Sequence, residues 1–187
     1  MGDDDLKFRH PFLCIVSGRS KSGKTSFCIR LLQNLDALCS ERELDGGIVW
    51  CNSEETAVPK RQQLPTNTTY DEGVPEKFYD GVGGKPRLVI LDDLLHDVYS
   101  KQVCTLFTRG SHHRNIRVIL VTQNLFHQGR LCRDISLNDH YVIALRNVRD
   151  KKQFIYWPIK CIRKIVLGYL TPIWMQHKDP TFTSSWI

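Results

Sequence analysis

Gly18-Arg19-Ser20-Lys21-Ser22-Gly23-Lys24-Thr25 constrains this chain more than any other stretch. It fits G-x-x-x-x-G-K-[ST] at every fixed position, and its flanks are those the pattern needs. Ahead of it, Phe12-Leu13-Cys14-Ile15-Val16-Ser17 is a short apolar run that reads as a buried parallel strand entering a turn. Behind it, Phe27, Leu31, Leu35 and Leu38 recur at spacings of four, four and three, which predicts a helix from Lys24 that closes before the polar segment Ser40–Gly47. Glycines in such a loop let backbone N–H groups turn inward around phosphate oxygens, and the helix N-terminus adds favourable partial charge. Lys24 would reach the β and γ phosphates of a nucleotide, and the Thr25 hydroxyl would serve magnesium. Residues Gly18, Arg19, Ser20, Lys21, Ser22, Gly23, Lys24, Thr25 and Ser26 are therefore the expected nucleotide-binding set. The plain alternative is a chance Gly/Ser/Lys turn before a helix, and both flanks weigh against it.

The rest of the chain supplies the sheet such a loop belongs to. Ile48–Cys51, Leu88–Leu91, Val118–Thr122 and Tyr141–Leu145 are further apolar runs with helical stretches between them, the clearest from Val98 to Phe107. The segment between the second and third runs is rich in Thr, Asn, Pro and Gly and reads as surface connection, with one helical turn around Glu76 to Tyr79. Five strands alternating with helices predict an α/β fold with an open, mainly parallel sheet, its binding crevice outside the carboxyl ends of the strands. At 187 residues the chain suits one well-buried domain. No run approaches the roughly 18 apolar residues of a membrane span, and Gly2-Asp3-Asp4-Asp5 is unlike a leader, so an intracellular protein without a membrane partner is expected. Seven cysteines with no C-x-x-C pair suit buried thiols in a reducing compartment rather than a disulfide framework or a zinc site.

Asp92 and Asp93 end the third run, which places two carboxylates at the edge where the loop would hold a triphosphate. This is a Walker B arrangement. Asp92 would hold magnesium through water, and Asp93 takes the place of a base that orients and deprotonates the attacking water. A helix N-cap is the structural alternative. Gln123 closes the fourth run, where an amide beside the carboxylates would sense the γ phosphate or position water. An acidic pair on one strand with a polar sensor on the next favours hydrolysis coupled to motion over phosphoryl transfer to a small molecule. Before that strand lies Arg109-Gly110-Ser111-His112-His113-Arg114-Asn115. Adjacent His side chains diverge and no third ligand accompanies them, which argues against a metal. Arg109 and Arg114 are candidates for an arginine supplied across a subunit interface, a device worth about 10³ to 10⁵ in rate; solvated surface arginines are the alternative.

These segments together, with Val121-Thr122-Gln123-Asn124-Leu125-Phe126, Arg133–Asn138 and Asn147–Gln153, resemble the FtsK/HerA-type genome-packaging ATPases of double-stranded DNA viruses and virus-derived mobile elements. The likeness covers residues 7 to about 156. The resemblance implies an ASCE-type P-loop NTPase that uses ATP and Mg2+. It also implies assembly as a homo-oligomeric ring around double-stranded DNA and packaging of that DNA into a preformed viral capsid, with capsid protein as a further partner. Lys24, Thr25, Asp92, Asp93 and Gln123 would fill the family's phosphate, magnesium, base and sensor roles. The family often has Glu where Asp93 stands, one methylene longer. A small-molecule P-loop kinase and a nucleotide-binding relic without turnover are the competing readings.

Residues 1–156 thus form the expected ATPase domain, and 157–187 a tail of different composition. Trp157, Trp174 and Trp186 put three of the four tryptophans there, and Lys160, Arg163, Lys164 and Lys178 against Asp179 leave it with half of the chain's net charge of +6. The DNA expectation therefore rests on the motifs and not on bulk basicity. A divergent extension, such as a capsid-docking segment, is one account of the tail. A shifted reading frame is the other: Trp174-Met175-Gln176 must be coded TGG-ATG-CA, and the neighbouring frame then reads Asp-Ala. The coding DNA of independent copies separates them: an intact single frame is expected for an extension, a family-like ending in the neighbouring frame for a shift.

Overall fold

The computed structural model describes residues 7–40, 44–53, 64–74, 85–92, 94, 100–110, 115–123, 135, 138–145 and 164–168. Their frame is a parallel sheet of β1 (Leu13–Ser17), β2 (Ile48–Asn52), β3 (Thr68–Glu72), β4 (Arg87–Asp92), β5 (Ile116–Thr122), β6 (Tyr141–Leu145) and β7 (Lys164–Gly168), in the order β3-β2-β4-β5-β1-β6-β7. Every adjacent pair is parallel. From β1 the chain builds one side of the sheet through β2 to β5 and the other through β6 and β7. The direction reverses at β1, and a sheet of this kind opens its crevice at such a reversal.

Both faces of the central strands are buried, so their residues are apolar at consecutive positions rather than alternately. On one face Phe12, Cys14 and Val16 of the β1 segment pack with Ile48, Trp50, Leu88, Ile90, Ile119 and Val121 under α1 (Lys24–Gln33). On the other, Leu13 and Ile15 pack with Val49, Cys51, Val89, Leu91, Val118 and Leu120 beneath α3 (Lys101–Thr105) and a π-helical turn, Leu106–Gly110. Truncating the fully buried Phe12 is expected to cost about 3–5 kcal/mol, read from the denaturant midpoint.

The sheet has two strands more than the five the apolar runs predict. β3 lies within the segment that reads as surface connection. It is an edge strand whose residues are half-buried or exposed, so it needs no apolar face. β7 pairs with β6 at the opposite edge, from within the tail. The predicted continuous helix from Lys24 to Leu38 is divided into α1 and α2 (Leu35–Leu38) at Asn34, where φ is −124°. The Asn34 amide donates to the Arg30 carbonyl at 2.8 Å, a side-chain bond that competes with helix propagation. The predicted turn at Glu76–Tyr79 lies outside the described residues. Cys14, Cys28, Cys39, Cys51 and Cys104 are buried thiols outside any disulfide. Burial pushes Cys51 up to about 12 and Cys39 to about 11, far from thiolate reactivity at neutral pH. Among the described residues no helix is long and apolar enough to cross a membrane.

Candidate functional site

Strand parity decides which polar side chains meet at the carboxyl edge. Asp92 follows Leu88 and Ile90 on the α1 face of β4, and Gln123 lies one residue past the end of β5, whose Ile119 and Val121 share that face. Between β1 and the loop, the Gly18 N–H donates to the Thr122 carbonyl at 3.2 Å, tying the loop's start to β5. The loop then turns sharply: Lys21 has φ 61° and Gly23 φ 94°. A lysine in the left-handed region is unfavourable, and such a conformation interspersed with ordinary ones aims successive N–H groups to one side.

The N-terminus of α1 is prepared for a negative charge. No side chain caps it, and its first turn holds no acidic residue. Its leading N–H groups and dipole therefore face the loop without a built-in anion. Lys24, only 9% exposed, folds back so that Nζ donates to the carbonyls of Gly18 at 2.8 Å and Arg19 at 3.1 Å. The ammonium is thereby held inside the loop's curve. Beside it, the Thr25 hydroxyl donates to Asp92 Oδ2 at 3.2 Å, bringing together two hard oxygen ligands from α1 and β4. Asp92 is 3% exposed, and its charge adds to burial in raising the nearby Cys28 thiol.

Two further details concern room in the loop. The Ser22 hydroxyl is buried and makes no hydrogen bond among the described residues. A Cβ placed on Gly18 would lie 2.5 Å from Ser22 Oγ and 3.0 Å from Leu145 Cβ. Gly18→Ala should therefore displace the loop, lowering nucleotide affinity at least about tenfold, since 1.4 kcal/mol suffices for that. Titration with a fluorescent ATP analogue measures it.

An ammonium in a loop, an uncapped helix start and a hydroxyl–carboxylate pair fit a nucleoside triphosphate with a hard divalent cation. Phosphate would lie against Gly18 to Ser26, and Thr25 with Asp92 would hold Mg2+. Arg19 and Ser20 are exposed at the loop's outer side, as is Ser26 on α1. Gln123 is exposed just past β5. Asp93 and Arg114 lie outside the described residues; Arg109 falls in the π-helical turn, at the opposite end of the segment from Asn115. Asn52, the last residue of β2, also reaches this edge, although local pattern marks it only as the polar end of an apolar run. Its Cα partner across the sheet is Asp92.

The chain has an α/β fold with a parallel sheet flanked by helices, and its candidate site sits where β1 meets α1. Comparison with family models, with curated proteins and with solved structures finds no match to it.

Proposed function

We propose that the chain is a P-loop ATPase of the ASCE arrangement, an FtsK/HerA-type motor that packages double-stranded DNA into a viral capsid. One observation carries the hydrolytic reading. The Thr25 hydroxyl reaches Asp92 although the sheet places a whole strand, β5, between the loop-bearing β1 and the carboxylate-bearing β4. That inserted strand is followed directly by Gln123, an exposed amide at the same carboxyl edge as the phosphate loop and Asp92. The DNA and capsid parts of the proposal rest on the motif resemblance, as does ATP as the nucleotide.

In this reading Lys24 neutralises charge on the β and γ phosphates while the loop N–H groups fix their orientation. Mg2+, when bound by Thr25 and Asp92, supplies neutralisation of the phosphate oxygens. Gln123 orients a water in line with the γ phosphorus, and Asp93 accepts its proton as the new P–O bond forms and the bond to the β-phosphate oxygen breaks. Arg109 or Arg114 of a neighbouring copy in a ring would stabilise the transferring group.

A phosphate-release assay with and without linear double-stranded DNA tests this. Hydrolysis raised severalfold by DNA is expected. Phosphate transfer to a small acceptor, indifferent to DNA, would instead make the chain a kinase, and nucleotide binding without turnover would make it a relic.

A further inference from the structure

We infer that Asn52 is a positioning residue of the nucleotide site, acting through Asp92 by donating a hydrogen bond that holds this carboxylate toward Thr25. The inference rests on the nucleotide-site reading above and adds a residue to it. Three independent features of the fold converge on Asn52.

First, Asn52 and Asp92 are Cα partners in the parallel β2–β4 pair, on strands about 4.8 Å apart. Second, they share a face. Ile48 and Trp50 of β2 and Leu88 and Ile90 of β4 all lie in the core cluster beneath α1, and Asn52 and Asp92 continue those two rows by one step of two residues. The side chains therefore stand side by side on the face from which Thr25 approaches. Third, the Asn52 backbone is pinned. Its carbonyl accepts the Gly73 N–H at 2.9 Å, where Gly73 turns with φ 70°, and its Cα is registered with Glu72 of β3. The Cα from which the amide extends is thereby fixed between Asp92 on one side and Glu72 on the other, and of these two carboxylates Asp92 is the buried one.

The chemistry suits the place. Asn is disfavoured within strands, and an apolar residue would extend the Ile48–Cys51 run at no cost to the core. An amide differs from an apolar side chain in carrying two N–H donors, and a carboxylate accepts at both oxygens. Thr25 takes Asp92 Oδ2 from the α1 side. A donor from the β2 side steadies the carboxylate against rotation, so that the same carboxylate orientation is presented to a cation before it binds.

The test uses the full chain, a fluorescent ATP analogue and MgCl2 or EDTA, with thermal unfolding as the folding control. In wild type, Mg2+ should tighten analogue binding. Asn52→Ala should lose about tenfold of that tightening, within the range known for groups that orient metal-binding side chains, and keep its affinity in EDTA. Asn52→Leu, close in size but without the amide donors and without a new charge, should fall with Asn52→Ala, whereas Asn52→Ser, which keeps a donor, should recover part of the loss. A merely structural role predicts that size decides and that Asn52→Leu behaves as wild type; that result, or Mg2+ tightening within twofold of wild type in Asn52→Ala, overturns the inference. Failure of the wild type to bind the analogue at all overturns the nucleotide site itself, and the inference with it.

Discussion

Lys24→Ala should reduce ATP hydrolysis by at least about a hundredfold, the scale on which loss of one preorganised donor to developing charge is felt. The magnitude follows from where the ammonium is kept. Lys24 is nearly buried and its Nζ is held by two loop carbonyls, so its charge is fixed in place before a triphosphate arrives and little reorganisation is needed. The truncated protein should still fold, because the loop is also closed by Ser22 N–H to the Arg19 carbonyl at 3.1 Å and by Gly18 N–H to Thr122. A thermal midpoint close to wild type, beside lost phosphate release, separates chemistry from stability. Lys24→Arg is not expected to rescue, since a planar guanidinium does not reproduce a point charge set between two carbonyls. Hydrolysis at half the wild-type rate or more in Lys24→Ala would place the reaction elsewhere on the chain.

Asp139→Asn should remove most of a steep pH dependence of stability. Asp139 is 2% exposed at the amino end of β6, and among the described residues its carboxylate oxygens have no hydrogen-bond partner. Burial pushes its carboxyl from an ordinary 3.8 up to about 8, against a smaller opposing pull from its own backbone N–H. The folded chain therefore keeps a proton that the unfolded chain has already released. The stabilising contribution is complete below the ordinary value and is lost as pH rises toward the folded one, at about 1.4 kcal/mol per unit between. Denaturant midpoints at pH 5, 6.5 and 8 should fall steadily in wild type and much less in Asp139→Asn, which is neutral throughout. The variant should be the more stable of the two at pH 8; a variant less stable than wild type there would mean that the ionised carboxylate is accommodated.

What local pattern shows of this protein depends on what each element buries. β1, β4, β5 and β6 are buried on both faces, so they stand out as apolar runs, and Asp92 stands out because a carboxylate ends such a run. β3 does not: Thr68-Thr69-Tyr70-Asp71-Glu72 lies at an edge, and its only cue is β-branched and aromatic residues in a polar stretch. The fourth apolar run begins in sequence at Val118, yet β5 begins at Ile116, because Arg117, 0% exposed, is accommodated by donating from Nε to His10 Nδ1 at 2.7 Å. A buried arginine reads locally as a strand boundary. Asn52 is hidden for a different reason: its proximity to Asp92 comes from β2 lying next to β4, a property of strand order that no neighbouring residue encodes.

The same Arg117 gives β5 a mechanical character. Its partner His10 also bonds Asn115, whose φ of 58° marks the start of the strand, so one end of β5 is clamped to the segment that enters β1. Because Arg Nε can only donate, His10 Nδ1 must accept, and the remaining ring nitrogen carries the proton toward Asn115. Slipping β5 by one residue would drive Arg117 into the apolar cluster on the other face of the sheet, so the strand cannot creep along its neighbours. β5 is thus a tie rod about 20 Å long between its two ends, hydrogen-bonded along its length to the strand that carries the phosphate loop and to the strand that carries Asp92. That register fixes the spacing between Asn115 at one rim of the sheet and Gln123, just past the strand's carboxyl end, at the other.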